Sequence, residues 1–168
     1  MEDIWNITAL VVSVLSVLLS LYALRQATTK NTSDMYLFFI SQYAKEDMKL
    51  ALRKLKDIKR GVYRLEQWES DMKNNLPKAF EYDEARRLVK YFYDTLAYMK
   101  LEKLIEARFV RLICLKKGAW LYLDTVEAME KFFDSGYDKK PYAVIRDVCE
   151  NLRRVLSSLV HYFRLLVI

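Results

Sequence analysis

An uninterrupted stretch without formal charge near the start of the chain is the feature that most constrains this sequence. Ile4–Leu24 comprises 21 residues, and twelve of them are Leu, Ile or Val. As an α-helix the stretch rises about 31 Å, close to the hydrocarbon thickness of a bilayer. Its apolar side chains contribute on the order of −5 kcal/mol towards membrane insertion. The stretch therefore predicts one transmembrane helix, within an anchor and juxtamembrane link that occupies residues 1–30.

The distribution of charge predicts how this helix is oriented. All 28 Lys and Arg residues follow position 24, whereas the other flank carries Glu2 and Asp3. Because cytoplasmic flanks are enriched in basic residues, we expect the N-terminus outside and residues 31–168 in the cytoplasm. The acidic start also lacks the positive segment of a cleaved signal peptide. The sequence thus predicts a single-pass membrane protein with a cytoplasmic domain.

Small residues recur along the predicted anchor at alternating spacings of four and three. This spacing places them on one face of a helix, where small side chains permit close packing against other transmembrane helices. The partners expected on this basis are membrane lipids and other transmembrane helices, in a homo-oligomer or a hetero-complex. The alternative is a stripe that only faces lipid. The packing residues are Ala9, Ser13, Ser16, Ser20 and Ala23.

The rest of the chain has the composition of an all-α domain. It holds few of the glycines and prolines that the turns of a many-stranded sheet require, with 3 Gly and 2 Pro in the whole sequence. We expect a bundle of about five helices over residues 31–168. Thr32, Ser33 or Asp34 is expected to cap the first of them, Asp83 a later one, and Pro141 to lie in the first turn of the last.

One of these helices is predicted from an apolar residue at every third or fourth position, with Gly61 bending or ending it. The buried face comprises Met48, Leu52, Leu55, Ile58, Val62 and Leu65. Lys45–Arg64 also carries eight basic residues against three acids, a local charge of +5. This segment either lies on anionic lipid headgroups or forms a solvated helix face. The candidate lipid contacts are Lys45, Lys49, Arg53, Lys54, Lys56, Lys59 and Arg60.

Sequence motifs for metal or cofactor chemistry are missing from the chain. It contains one histidine, and its two cysteines, Cys114 and Cys149, are far apart in the sequence, as expected of buried reduced thiols. The common nucleotide-binding and hydrolase motifs do not occur either. We therefore expect no metal, no cofactor and no small-molecule substrate.

Arg154 and His161 form the one catalytic candidate, because a spacing of seven residues places them on one face of a helix. An arginine can stabilise phosphate charge while a histidine transfers a proton. The Arg-x6-His spacing resembles the ribonuclease motif of the HEPN superfamily, which implies a helical domain that acts on RNA as a dimer. Val155 departs from that motif, where a polar residue usually follows the arginine. The alternative is a solvated polar face.

A wider resemblance covers much of the chain. A short acidic N-terminus, an apolar helix running into Leu24-Arg25-Gln26 and a helical stretch over 84–133 resemble small prokaryotic membrane proteins grouped as a domain of unknown function. The shared pattern comprises Ala85-Arg86-Arg87, Tyr93-Asp94-Thr95-Leu96 and Trp120. The resemblance implies a single-pass protein with a helical domain and brings no established active site.

Three functions are compatible with these features. The first is a membrane-anchored, non-enzymatic interaction protein, acting as an accessory subunit or scaffold of a complex. The second is a membrane-tethered effector that cleaves RNA with Arg154 and His161. The third is a homo-oligomeric channel built from the single helix. The net charge of +8 over residues 25–168 follows from the positive-inside bias, so nucleic-acid binding is disfavoured.

Overall fold

A computed structural model describes the backbone of residues 2–134 and 136–166, together with the side chains of residues 15–23, 26, 33–134, 136–155 and 157. The chain divides into two compact units, Met1–Leu37 and Phe38–Ile168. The described residues form helices and connecting turns without a strand, as an all-α class requires. The helices are α1 (Glu2–Ala44), α2 (Glu46–Lys59), α3 (Leu65–Lys73), α4 (Pro77–Leu101), α5 (Ala107–Cys114), α6 (Lys117–Leu121), α7 (Glu127–Phe133) and α8 (Lys140–Leu166), with a π-helical turn, Tyr122–Val126, between α6 and α7.

The prediction of a transmembrane anchor is wrong. In the part of the chain that the structure describes, no helix combines the length and the apolar content that a membrane crossing requires. The prediction counted Ile4–Leu24 as one span, whereas the side chains described in this part of α1 are those of residues 15–23 and 26, a stretch shorter than the roughly 20 residues that a crossing needs. In the described part of α1, Ser16 and Ser20 interrupt the apolar residues and Gln26 follows them. The expected single-pass topology, with the N-terminus outside and the domain cytoplasmic, is corrected accordingly.

Two further expectations about the helices also fail. Helix α1 continues through Gln26–Asp34 to Ala44, so Thr32, Ser33 and Asp34 lie inside a helix and not at the start of one. That segment is polar but contains neither Gly nor Pro, the residues that break a helix most strongly. The expected bundle of about five helices is instead made of more and shorter ones, because turns divide the chain at points that the apolar pattern does not mark.

Helix α4 is the centre of the unit Phe38–Ile168. It packs against α2, α3, α5, α8 and the π-helical turn. It begins at Pro77, whose ring suits the first turn of a helix, and not at Asp83, which is buried inside the unit. In α2 the predicted face is largely confirmed, since Met48, Leu55 and Ile58 are buried. Val62 lies beyond the end of α2 and is exposed.

The ends of α2, α3 and α4 share one capping geometry. In each, the residue after the C-cap has a positive φ: 75° at Gly61, 54° at Asn75 and 57° at Lys103. After α2, Gly61 N–H donates to Ile58 O and Val62 N–H donates to Asp57 O, which is the Schellman motif. The other two ends repeat this pair of hydrogen bonds. The expectation that Gly61 ends the helix is confirmed, and Lys103 occupies a position that favours glycine.

Replacing Lys103 with glycine should therefore stabilise the protein. A non-glycine residue in the left-handed region costs about 1 kcal/mol, and glycine relieves that cost while keeping the capping hydrogen bonds. We expect Lys103→Gly to raise the free energy of unfolding by about 1 kcal/mol in urea denaturation. The control is Lys56→Gly, at an exposed position inside α2, which should lower it by about 0.5–1 kcal/mol. A loss of stability in Lys103→Gly would contradict the assignment.

Gly118 lies within α6, where it permits the close approach of two side chains. A Cβ at this position would lie 2.8 Å from Tyr93 Oη and 2.9 Å from Tyr43 Oη. The backbone N–H of Gly118 donates a hydrogen bond of 3.3 Å to Tyr43 Oη. The glycine is needed because two tyrosine hydroxyls pack directly on the helix backbone. Pro141 is in the first turn of α8, as the sequence predicts.

Candidate interaction surfaces

The described part of α1 exposes an unusual density of large apolar side chains. In the stretch 15–23 every residue is exposed, and Leu19 retains 68% of its accessible surface. Successive residues of a helix point in directions about 100° apart, so these side chains cover an arc of roughly 200°, and Ser16, Ser20 and Ala23 occupy the remaining face. An apolar stripe this wide is normally buried against another element. The exposed apolar run comprises Leu15, Val17, Leu18, Leu19, Leu21 and Tyr22.

The predicted packing stripe falls partly on this run. Ser16, Ser20 and Ala23 are exposed, whereas the side chains of Ala9 and Ser13 lie outside the described residues. Ser20 Oγ donates a 2.8 Å hydrogen bond to the Ser16 carbonyl oxygen, one turn earlier. Because its hydroxyl is satisfied within the helix, Ser20 can face an apolar neighbour without leaving its donor unpaired. A role in packing between helices stays a prediction.

A second apolar surface lies in the unit Phe38–Ile168. A groove of about 280 Å³ runs between the C-terminal end of α1, the start of α2 and one face of α4. Tyr91 is 74% exposed and Phe38 56% exposed, while Phe39 and Phe92 form its floor with ring centroids 5.4 Å apart. Lys45 and Asp47 supply polar groups to the lining. The groove has the apolar lining and few polar groups of a binding surface.

Four of the seven basic residues predicted to contact lipid form ion pairs within the chain. Lys54 Nζ lies 2.9 Å from Glu81 Oε2, and Lys59 Nζ lies 2.5 Å from Asp124 Oδ2. Lys49 and Arg53 both contact the carboxylate of Glu46. The expectation that this segment lies on lipid headgroups depended on a membrane anchor, and it loses that basis. The ion pairs are those of a solvated helix face that connects α2 with its neighbours.

The catalytic candidates share helix α8 but form no described site. Arg154 Nη2 lies 3.9 Å from Glu150 Oε2, and its side chain is 73% exposed. The side chain of His161 lies outside the described residues. RNA cleavage by this pair stays a prediction, and unchanged cleavage in His161→Ala would remove it. The channel hypothesis required a membrane-crossing helix and loses its basis.

A cluster of charges is buried beside α4, and sequence reasoning did not detect it. Arg86 Nε donates to Asp83 Oδ1 at 2.7 Å, and the guanidinium also pairs with Glu130 on α7. Asp83 and Glu130 retain 1% and 9% of their accessible surface. Further pairs extend the cluster, namely Arg87–Asp83, Lys90–Asp94 and Arg146–Glu127. Four basic residues thus face four acids, and we interpret this neutral charge cluster as structural.

Three stacked tyrosine rings adjoin the charge cluster. The rings of Tyr122 and Tyr142 are 4.4 Å apart and nearly parallel, and Tyr93 stacks on the other side of Tyr122 at 5.1 Å. Tyr122 Oη donates a 2.5 Å hydrogen bond to Asp94 Oδ1. Burial, reinforced for Tyr122 by Asp94, raises the pKa of Tyr122 and of Tyr142. Burial and a hydrogen bond to Glu127 raise the pKa of nearby Tyr137 from 10.0 to about 12.

These raised pKa values predict a loss of stability at alkaline pH. Each tyrosine favours the neutral form in the folded state, so its contribution is complete below about pH 10 and is lost as pH rises through its folded pKa. We expect the free energy of unfolding to fall steadily from pH 10 towards pH 12, as measured by urea denaturation. Tyr137→Phe should make the decline shallower, whereas Tyr91→Phe, at an exposed ring, should not. Equal slopes in wild type and Tyr137→Phe would contradict the prediction.

The two cysteines, remote in sequence, meet in the structure. Cys114 ends α5 and Cys149 lies in α8, and both are free and buried. Both line one cavity, and the interaction between the two thiols raises the pKa of Cys114 and lowers that of Cys149. Burial in a reduced state was expected, but the proximity of the two cysteines was not. Among the described residues no group of three His, Cys, Asp or Glu side chains could hold a metal ion.

Comparisons with known proteins give this chain no relative. No family model, no curated protein and no solved structure matches it. The resemblance to small membrane proteins of unknown function therefore stays a prediction, and the function has to be inferred from the surfaces described above.

Proposed function

We propose that this protein is a non-enzymatic interaction protein, an accessory subunit or scaffold that associates with helices of other chains through α1. The observation that carries the proposal is the exposed apolar run. Its six large side chains fall within eight consecutive residues, each more than half exposed. An exposed apolar surface of this density is typical of a protein interaction site.

The energetics favour association. Complete burial of one Leu or Val side chain is worth roughly 1.5–3 kcal/mol relative to exposure. Because more than half of each side chain in the run is exposed, covering the run against a partner stabilises the assembly by several kcal/mol. Part of that gain offsets the entropy lost on association. The partner surface is expected to be apolar and helical, in a second copy of the chain or in another protein.

The groove of the unit Phe38–Ile168 supports the same function independently. Its exposed aromatic rings, Phe38 and Tyr91, are of the type enriched where proteins bind one another. Thr95 adds a polar group to the lining, so an incoming apolar segment could be oriented as well as held. A scaffold with two binding surfaces can hold two partners at once.

The proposal is tested with the full chain, purified under native conditions at low concentration. A photo-reactive residue at position Leu18 should cross-link to a second polypeptide, whereas one at exposed Leu104 on the α4–α5 turn should not. Leu18→Asn combined with Leu21→Asn should abolish the complex seen by native mass spectrometry. The matched control is Leu101→Asn combined with Leu104→Asn, which removes two similarly exposed leucines. This variant should still form the complex.

Two results would overturn the proposal. The first is a wild-type chain that runs as a lone monomer with no second polypeptide. The second is equal cross-linking from both positions. Circular dichroism of each variant establishes that a lost complex reflects a lost contact, because unit Phe38–Ile168 keeps its helices when the changes are confined to α1.

A further inference from the structure

We infer that Cys114 and Cys149 form a modification site: a dithiol that a small peroxide oxidises to an intramolecular disulfide. The two thiols come from α5 and α8, which pack against each other. Both cysteines line one cavity between these helices, and each thiol shifts the pKa of the other. A disulfide requires Cα atoms about 4.4–6.8 Å apart, a separation within the reach of two helices that pack directly on each other.

A cavity gives this pair both access and room. Its volume is about 420 Å³, and both cysteines line it together with Leu115, Trp120, Leu152 and Arg153. Leu115 and Arg153 are exposed, so the cavity meets solvent beside them. The cysteines themselves keep only 1% and 2% of their accessible surface. A small oxidant can enter the cavity, whereas a protein disulfide cannot reach the sulfurs, which favours a peroxide over an oxidoreductase.

The mutual influence of the two thiols assigns them different roles. The pKa of Cys149 is lowered, so it is the thiolate that attacks. The pKa of Cys114 is raised, so it keeps its proton. The Cys149 thiolate attacks one oxygen of hydrogen peroxide, the O–O bond breaks, and hydroxide leaves and takes a proton to become water. The product is a sulfenic acid on Cys149.

The second step closes the bridge. The Cys114 sulfur attacks the Cys149 sulfur, the S–O bond breaks, and the oxygen leaves as water with the proton of Cys114. In sum, two thiols lose two electrons and two protons, and one hydrogen peroxide is reduced to two waters. The bridge encloses α6, the π-helical turn, α7 and the first part of α8 in one covalent loop.

The full chain treated with hydrogen peroxide provides the test. We expect the protein to lose two hydrogen atoms in mass, and a non-reducing digest to join the peptides that contain Cys114 and Cys149. Dithiothreitol should reverse both changes. The oxidised chain should also show a higher unfolding midpoint, because the bridge restricts the unfolded state. Retention of two free thiols, or conversion of each to its own oxidised acid without a bridge, would overturn the inference.

Single variants test the separate roles. In Cys114→Ser the sulfenic acid on Cys149 has no thiol to resolve it, so dimedone should label Cys149 at least about tenfold faster than it labels Cys114 in Cys149→Ser. Equal labelling of the two would contradict the assignment of Cys149 as the attacking sulfur. The double serine variant controls for methionine oxidation. The wild-type digest needs no variant, so it decides whether the bridge forms even if a substitution impairs folding.

Discussion

Replacing Arg86 with methionine is expected to destabilise the protein by about 3–5 kcal/mol. Methionine retains the packing of the arginine stem but removes the guanidinium that pairs with Asp83 and Glu130. Both acids are at least nine-tenths buried, and after the substitution Asp83 keeps Arg87 and Glu130 keeps Lys90 at 4.0 Å, so buried negative charge loses its main partner. The guanidinium also lies 4.7 Å from the ring of Phe133, and that contact is lost with it. Urea denaturation at neutral pH measures the change.

Two matched variants make this prediction specific. Arg87 contacts the same Asp83 carboxylate, but its side chain is 66% exposed, so Arg87→Met should cost much less. Arg86→Met combined with Glu130→Met replaces the pair by apolar side chains and should recover part of the loss. If Arg86→Met and Arg87→Met lost similar stability, burial would not be what makes the charge cluster important.

Replacing Trp68 with alanine should have an effect of similar size, about 3–5 kcal/mol. The indole is fully buried, and its Nε1–H donates a 3.2 Å hydrogen bond to the Ala79 carbonyl oxygen. Its ring packs edge-on against Phe132 and Phe133 at 5.4 and 5.7 Å. Alanine removes the indole that holds α3 against α4 and α7 and leaves a cavity, and urea denaturation measures the cost.

The control for Trp68 comes from the first turn of α4. Phe80 is a large aromatic residue that is 40% exposed, and Phe80→Ala should cost well under half as much. Trp68→Phe keeps most of the packing and loses the hydrogen bond. Its loss in the free energy of unfolding should therefore lie between those of Phe80→Ala and Trp68→Ala. If Phe80→Ala lost as much free energy of unfolding as Trp68→Ala, burial would not be what determines the size of the effect.

The sequence predicted those features that depend on neighbouring residues. The buried face of α2, its end at Gly61 and the place of Pro141 follow from apolar spacing and backbone preference, and they are confirmed. Asp83 was misassigned because an acid before an apolar stripe has the pattern of a cap. Its actual partners, Arg86 and Arg87, lie on the same helix and could have been noticed as i, i+3 and i, i+4 pairs.

Other features were inaccessible because they depend on the approach of remote segments. Nothing near Gly118 in the sequence indicates that Tyr43 and Tyr93 will meet there. The contact of Cys114 with Cys149 likewise requires α5 to pack on α8. The apolar run of α1 was recognised, but its interpretation as a membrane anchor counted all of Ile4–Leu24 as one span, and the described residues do not support a crossing. The structure adds that the side chains of this run are exposed.

The π-helical turn fixes the rotational phase of everything after it. Backbone dihedrals remain helical from Leu121 through Glu127, so α6, the turn and α7 form one continuous winding with a wider turn in its middle. A π-helical turn takes up about one residue more than an α-helical turn, so it accommodates an extra residue while α7 keeps its rotational phase relative to α6. Glu127 and Glu130 therefore reach Arg146 and Arg86 from the face that a regular helix one residue shorter would also present to them. A one-residue deletion confined to this turn is thus compatible with the same interior, whereas a deletion within α7 itself would turn the residues after it by about 100°.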